Sequence, residues 1–166
     1  MSGRKRIRLP APFCKGRRRY FLTACTQNRL RFFNNAALAE HAVQCLQTAA
    51  AHENFLLHAW CIMPDHVHAL VEGIHDLSRV CEFVNRWKNS TRENFRHRNR
   101  RELWQRTFFD RTLLPEDSPY PIAWYIWLNP VRKGLCQDPT DYPFSGSLTM
   151  DWKSMLKPDE DWVPPW

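Results

Sequence analysis

The chain has 166 residues, 43% hydrophobic and 25% charged, which predicts one domain with a real core and excludes a disordered chain. No run is long and apolar enough to span a membrane, and the arginine-rich start lacks the apolar stretch of a secretory signal. Six cysteines without a Cys-x-x-Cys pair argue against a zinc cage and for reduced thiols in a cytoplasmic protein.

The formal net charge of +7 is unevenly spread, with no acid before Glu40. Residues 1–18, which include Arg4, Lys5 and Arg6, are expected to form a basic flexible arm. Arg19 to Gln27 is rich in β-formers and predicts a first strand. Asn34 or Asn35 can cap a helix from Ala36 to about Glu53, in which Leu38, Ala42, Cys45, Leu46 and Ala49 share one face. Phe55 to Met63 predicts a second strand and His66 to Glu72 a third, joined by a Pro64-Asp65 turn. Leu77 to about Arg98 predicts a long helix with Leu77, Val80, Val84 and Trp87 as its apolar stripe. Thr107 to Leu114 predicts a fourth strand. A last helix from Pro119 or Tyr120 should end at Asn129-Pro130, because the residue before proline avoids the α region. The order is βαββαβ and then a helix. It predicts an α+β, ferredoxin-like antiparallel sheet with two helices on one face and an added C-terminal tyrosine-bearing helix. Residues 19–147 would form this domain and residues 148–166 an irregular tail.

His66-Val67-His68 lies on the third predicted strand, so both imidazoles point to one face. Two such rings can grip one divalent ion, although a His-x-His pair on a strand more often serves as hydrogen-bonded surface. Tyr125 and Asn129 are at i and i+4 of the last helix and project together. If that face covers the histidines, Asn129 completes a metal shell and Tyr125 reaches the same phosphate. Tyr20, Tyr120 and Tyr142 are the other tyrosines, and Tyr142 reads as a packing residue. The basic stretch from Arg79 to Arg106 attracts a polyanion, since neutralised phosphates release counterions. Arg86, Lys88 and Arg92 are its expected phosphate contacts, though their spacing does not put all three on one face.

The stretch from Trp60 to Leu70, with Met63-Pro64-Asp65-His66-Val67-His68 at its centre, resembles the His-hydrophobe-His motif of the single-tyrosine HUH, or IS200-like, transposases. Trp124-Tyr125-Ile126-Trp127-Leu128-Asn129-Pro130 resembles their tyrosine-helix motif. Leu103 to Asp110 and Asp141 to Ser147 resemble two further stretches, in the family's order. Together these cover roughly residues 19 to 147. The Met-Pro-Asp-His turn and Trp104-Gln105 are most similar to the REP-associated tyrosine transposases, bacterial enzymes acting on repeats that fold into DNA hairpins. The arginine-rich opening resembles that branch only loosely. The resemblance implies that His66, His68 and Asn129 hold Mg²⁺ or Mn²⁺, that Tyr125 attacks single-stranded or hairpin DNA to form a 5′-phosphotyrosine, and that the chain acts as a monomer.

Three rival readings stay open at this level. The first is a ferredoxin-like module that binds single-stranded or hairpin DNA without chemistry. The second is a two-histidine phosphoesterase, which would need two separated His-x-Thr/Ser motifs that the chain lacks. The third is a replication initiator or relaxase with related HUH chemistry.

Overall fold

In the computed structural model, residues 14–96, 100–156 and 162–164 are described. The expected arm residues Arg4, Lys5 and Arg6 lie outside them. Lys15 already makes a bridge to Arg79, and the amide of Gly16 donates to Ser78 at 2.8 Å.

Five strands form one antiparallel sheet in the order β4-β1-β3-β2-β5. They are β1 (Arg19–Cys25), β2 (Phe55–Met63), β3 (His66–Gly73), β4 (Phe109–Leu113) and β5 (Ser145–Gly146). The first four have the ferredoxin-like arrangement that the sequence predicts. Helices α1 (Ala36–His52) and α2 (Val80–Arg96) cover one face, and α3 (Tyr120–Arg132) covers the other. Asn35 caps α1, its Oδ1 accepting from the Leu38 amide at 3.0 Å. The indole of Trp87 on α2 donates to the Ala42 carbonyl at 3.2 Å and ties the two helices together.

Both faces are covered, so β1, β2 and β3 are apolar on both sides. Tyr20, Leu22 and Ala24 of β1 and Val67, Ala69 and Val71 of β3 face α1 and α2. Phe21 and Leu70 face α3. In β2 the alternation is interrupted by a bulge. Leu57 pairs with Val71 and Ala59 with Leu70, which leaves His58 as the extra residue.

Three expectations need correction. Helix α2 begins at Val80 rather than Leu77, and Leu77 is exposed. The preceding residues form a turn in which the buried Ser78 hydroxyl donates to the Asn54 carbonyl and accepts from the His75 amide. Strand β4 is shorter than Thr107–Leu114 because its pairing with β1 runs only from Phe109 to Leu113. Helix α3 does not stop at Asn129-Pro130 but contains Pro130 in its last turn. Pro130 forgoes the bond that an N–H there would make to the Ile126 carbonyl, but the Asn129, Pro130 and Val131 carbonyls are met by the Lys133, Leu135 and Gly134 amides. The end is set by Gly134, whose φ of +66° suits glycine. Within the expected domain a short fifth strand follows Tyr142. Residues 145 and 146 add β5 to the edge of β2, where a Cβ on Gly146 would meet Trp60 Cζ2 at 2.3 Å. Beyond β5 the tail packs on α3. The Trp127 indole donates to Gly146 at 3.0 Å, and that of Trp124 to Met155 at 2.6 Å.

Candidate active site

The period of two along β3 puts His66 and His68 on the α3 face. Their ε nitrogens approach to 3.1 Å. Each δ nitrogen has its own partner. The turn residue Asp65 places Oδ1 2.5 Å from Nδ1 of His66. Thr23, paired with His68 in the β1–β3 register, places Oγ1 2.8 Å from Nδ1 of His68. The carboxylate of Asp65 requires Nδ1–H on His66, so its ε nitrogen carries a lone pair. A lone pair facing another imidazole nitrogen at this distance needs a proton or a cation between them.

Burial lowers the pKa of His66, opposed by Asp65, and lowers that of His68 well below its ordinary value, helped by the charge of His66. Both rings are therefore held neutral, the form that binds a metal. The Asp65 carboxyl is pushed up by burial, but the His66 hydrogen bond and charge, with Arg29, hold it below its usual value. The spacing also fits an ion, since adjacent positions around an octahedral cation with bonds of about 2.1 Å lie roughly 3.0 Å apart. Among the described residues no three His, Cys, Asp or Glu side chains are arranged to hold a metal ion together, so further ligands would come from an amide such as Asn129 or the substrate's own oxygens.

Tyr125 lies beside His68. Its ring centroid is 5.5 Å from that of His68 and 6.0 Å from that of Phe21, which itself stacks on His68 at 5.3 Å. The Arg132 guanidinium stands over the Tyr125 ring at 4.9 Å. Asn129, one turn after Tyr125, is buried at 3% exposure. The other tyrosines are elsewhere. Tyr20 is fully buried towards α1 and α2, and burial pushes its pKa up to about 12. Tyr142 donates to the Ile62 carbonyl at 2.7 Å, and Tyr120 is exposed beside Trp124 at the start of α3.

Among the expected phosphate contacts, Lys88 and Arg92 line one cavity, whereas Arg86 is exposed and ion-paired with Glu53. Sequence reading missed Asp65, Thr23 and Arg132 as site residues. Asp65 adjoins His66 and Arg132 is two helical turns from Tyr125, so both left a local signal. Thr23 is 45 residues from His68, and only the strand register brings it there.

Residues 15–115 match the family described as "Transposase IS200 like". The chain belongs to this family. The match includes His66 and His68 and ends before α3. A putative REP-associated tyrosine transposase of Haemophilus influenzae is 29% identical over 154 residues, 86% of each chain. A REP-associated tyrosine transposase of Escherichia coli is 27% identical over 109 residues, 59% of this chain and 62% of that one. Among solved structures, a REP-associated tyrosine transposase bound to a REP hairpin superposes with a TM-score of 0.70 at 21% identity, over 95% of this chain and 89% of that one. A putative transposase from Deinococcus radiodurans gives 0.50 at 21% identity, over 69% and 87%. These likenesses agree with the fold described above. No helix among the described residues is long and apolar enough to cross a membrane.

Proposed function

We propose that this family member is a metal-dependent endonuclease that cleaves and rejoins single-stranded DNA at hairpin sequences through Tyr125. The observation that carries this reading is the edge-on contact of the Tyr125 ring with His68, whose ε nitrogen converges on that of His66. His66 and His68 would hold Mg²⁺ or Mn²⁺, with Asn129 as a third ligand. Such an ion supplies Lewis-acid polarisation of the scissile phosphate.

The chain's own residues do the rest. Asp65 fixes the orientation and tautomer of His66, and Thr23 helps to fix the orientation of the His68 ring. The Tyr125 oxygen attacks phosphorus in line and gives up its proton. The P–O3′ bond breaks, the 3′ oxygen leaves as a hydroxyl, and the 5′ phosphate stays on the tyrosine. One phosphodiester replaces another, so rejoining needs no ATP. Arg132 places positive charge beside the phosphoryl oxygens. The likeness to a protein solved with a REP hairpin supports hairpin DNA as the substrate. Action as a monomer is part of this reading, with Tyr125 and His68 meeting inside a single chain.

The test uses a labelled single-stranded hairpin library with Mn²⁺ or Mg²⁺ on a denaturing gel. A metal-dependent covalent adduct that disappears in Tyr125→Phe is expected. Tight hairpin binding with no adduct in either metal would replace this reading with a non-catalytic DNA-binding one.

A further inference from the structure

Tyr125 carries its hydroxyl at the far end of a side chain with two torsions, and α3 fixes only where that side chain starts. Misplacing a reacting group by about 1 Å can cost on the order of 100-fold in rate. What holds the ring therefore matters as much as what holds the helix. Three groups are set against it. The Arg132 guanidinium stands over its face at 4.9 Å. His68 meets it at 5.5 Å with 66° between planes, and Phe21 of β1 at 6.0 Å with 85° between planes.

The three do not hold it equally. Arg132 lies on the same helix and ends a long side chain with many rotamers, so it cannot tie the ring to the sheet. His68 is itself a ring that has to be held. Phe21 has neither weakness. It is 1% exposed and sits on an inner strand, paired with Leu70 of β3 on one side and Arg111 of β4 on the other. Phe109 of β4 packs on the same ring at 6.4 Å, which further limits its rotation.

Phe21 also stacks on His68, at 5.3 Å with 25° between planes. The register explains the contact. Thr23 pairs with His68 and Phe21 with Leu70, so Phe21 and His68 are diagonal neighbours on one face, a separation that an aromatic ring can bridge. One buried side chain thus touches both the ring of the nucleophile and the ring of the histidine beside it. A leucine would fill much of the same space, but it has no plane to stack on the imidazole or to set against the tyrosine.

We propose that Phe21 is a positioning residue of the tyrosine centre: it holds the Tyr125 ring at a set distance and angle from His68, so that the nucleophilic oxygen meets the phosphate in one orientation. The proposal rests on the cleavage reading above, but the hold on the ring is readable without DNA or metal.

Two measurements test it. In the first, the full-length protein carrying ring-¹³C tyrosine is studied without DNA or metal. Relaxation of the Tyr125 ring resonance, assigned with Tyr125→Phe, gives its order parameter. That value should be high in the wild type and fall below about 0.6 in Phe21→Leu, while the ring of Tyr142, bonded to Ile62, stays as it is. An unchanged Tyr125 order parameter overturns the proposal. In the second, adduct formation is followed in a single turnover at saturating hairpin and Mn²⁺. Phe21→Leu should react about 100-fold more slowly, with hairpin affinity within about twofold of wild type. Leu113→Ala empties a site in the same apolar cluster outside these ring contacts, and should keep the wild-type rate per folded molecule. An equal loss in Leu113→Ala, or none in Phe21→Leu, overturns the proposal. Phe21→Met, whose unbranched chain adapts to the gap, gives the same two readings where leucine disturbs the sheet. Wild-type protein whose Tyr125 ring is held by Phe21 but which forms no adduct would retain the hold on the ring and lose the cleavage reading.

Discussion

Replacing Thr23 with valine removes one hydroxyl and little volume. The lost contact is the 2.8 Å bond from Thr23 Oγ1 to Nδ1 of His68, whose ring is 5% exposed. Leaving a buried ring nitrogen without that partner costs about 1–3 kcal/mol. The larger consequence is local, because the hydroxyl helps to fix ring orientation. Loss of such a supporting contact weakens metal binding about 10- to 100-fold, or roughly 1.4–2.7 kcal/mol. Calorimetric or EPR titration of Mn²⁺ into wild-type and Thr23→Val protein reads the affinity, and urea denaturation in EDTA reads the fold. Thr23→Ser retains the hydroxyl and should recover most of the affinity. A valine variant that is less stable but binds Mn²⁺ within about twofold of wild type would refute the reasoning, since Thr23 would then serve packing alone.

The pKa shifts set a pH dependence. The folded His66 and His68 resist protonation, so below the ordinary histidine value of about 6.5 the unfolded chain binds more protons. Metal-free stability is thus present above that pH and declines as pH falls through the lowered folded values, by at most about 1.4 kcal/mol per pH unit for each ring. Urea melts in EDTA at descending pH should show this slope flattened in His68→Gln, and an unchanged slope would count against it. Arg132→Met should slow adduct formation on the order of 100-fold without altering Mn²⁺ affinity; equal rates would remove Arg132 from the chemistry. Gly146→Ala places a methyl where only 2.3 Å separates its Cβ from Trp60, and should cost about 1–3 kcal/mol. Gly134→Ala meets no neighbour within 4 Å but has a φ of +66°, so its loss of about 1 kcal/mol comes from backbone strain; the two denaturation midpoints should differ accordingly.

Much of this architecture was legible because its signals are local. The bounds of β2 and the start of β3 follow from the Pro64-Asp65 turn, and Asn35 marks the start of α1 through its own cap. Where reading failed, a distant contact or a competing signal decided the structure. Leu77 falls on the apolar period of α2, but Ser78 is drawn to Asn54, 24 residues away, and delays the helix. Pro130 resembles a stop, yet it lies late enough in α3 for Gly134 to set the end. A two-residue strand such as β5 has no periodicity to read, and the bond from the Trp127 indole to Gly146 spans 19 residues. The candidate site divides in the same way. His66, His68, Tyr125 and Asn129 stand in two local motifs that resemble those of the family, whereas the Thr23 contact exists only once β1 lies beside β3.

The bulge at His58 has a consequence for how the length of this protein can change. Leu57 and Ala59 face successive β3 residues, Val71 and Leu70, as though His58 were absent. Deleting that one residue would restore an uninterrupted ladder with every apolar neighbour on its present face. Deleting any other residue in the middle of β2 would turn the rest of the strand over. What the shorter chain would lose is the His58 imidazole, which joins Glu72 at 2.8 Å to Thr149 at 2.8 Å. The extra residue thus links β3 to the chain after β5, and a codon lost there would loosen that link before it disturbed the sheet.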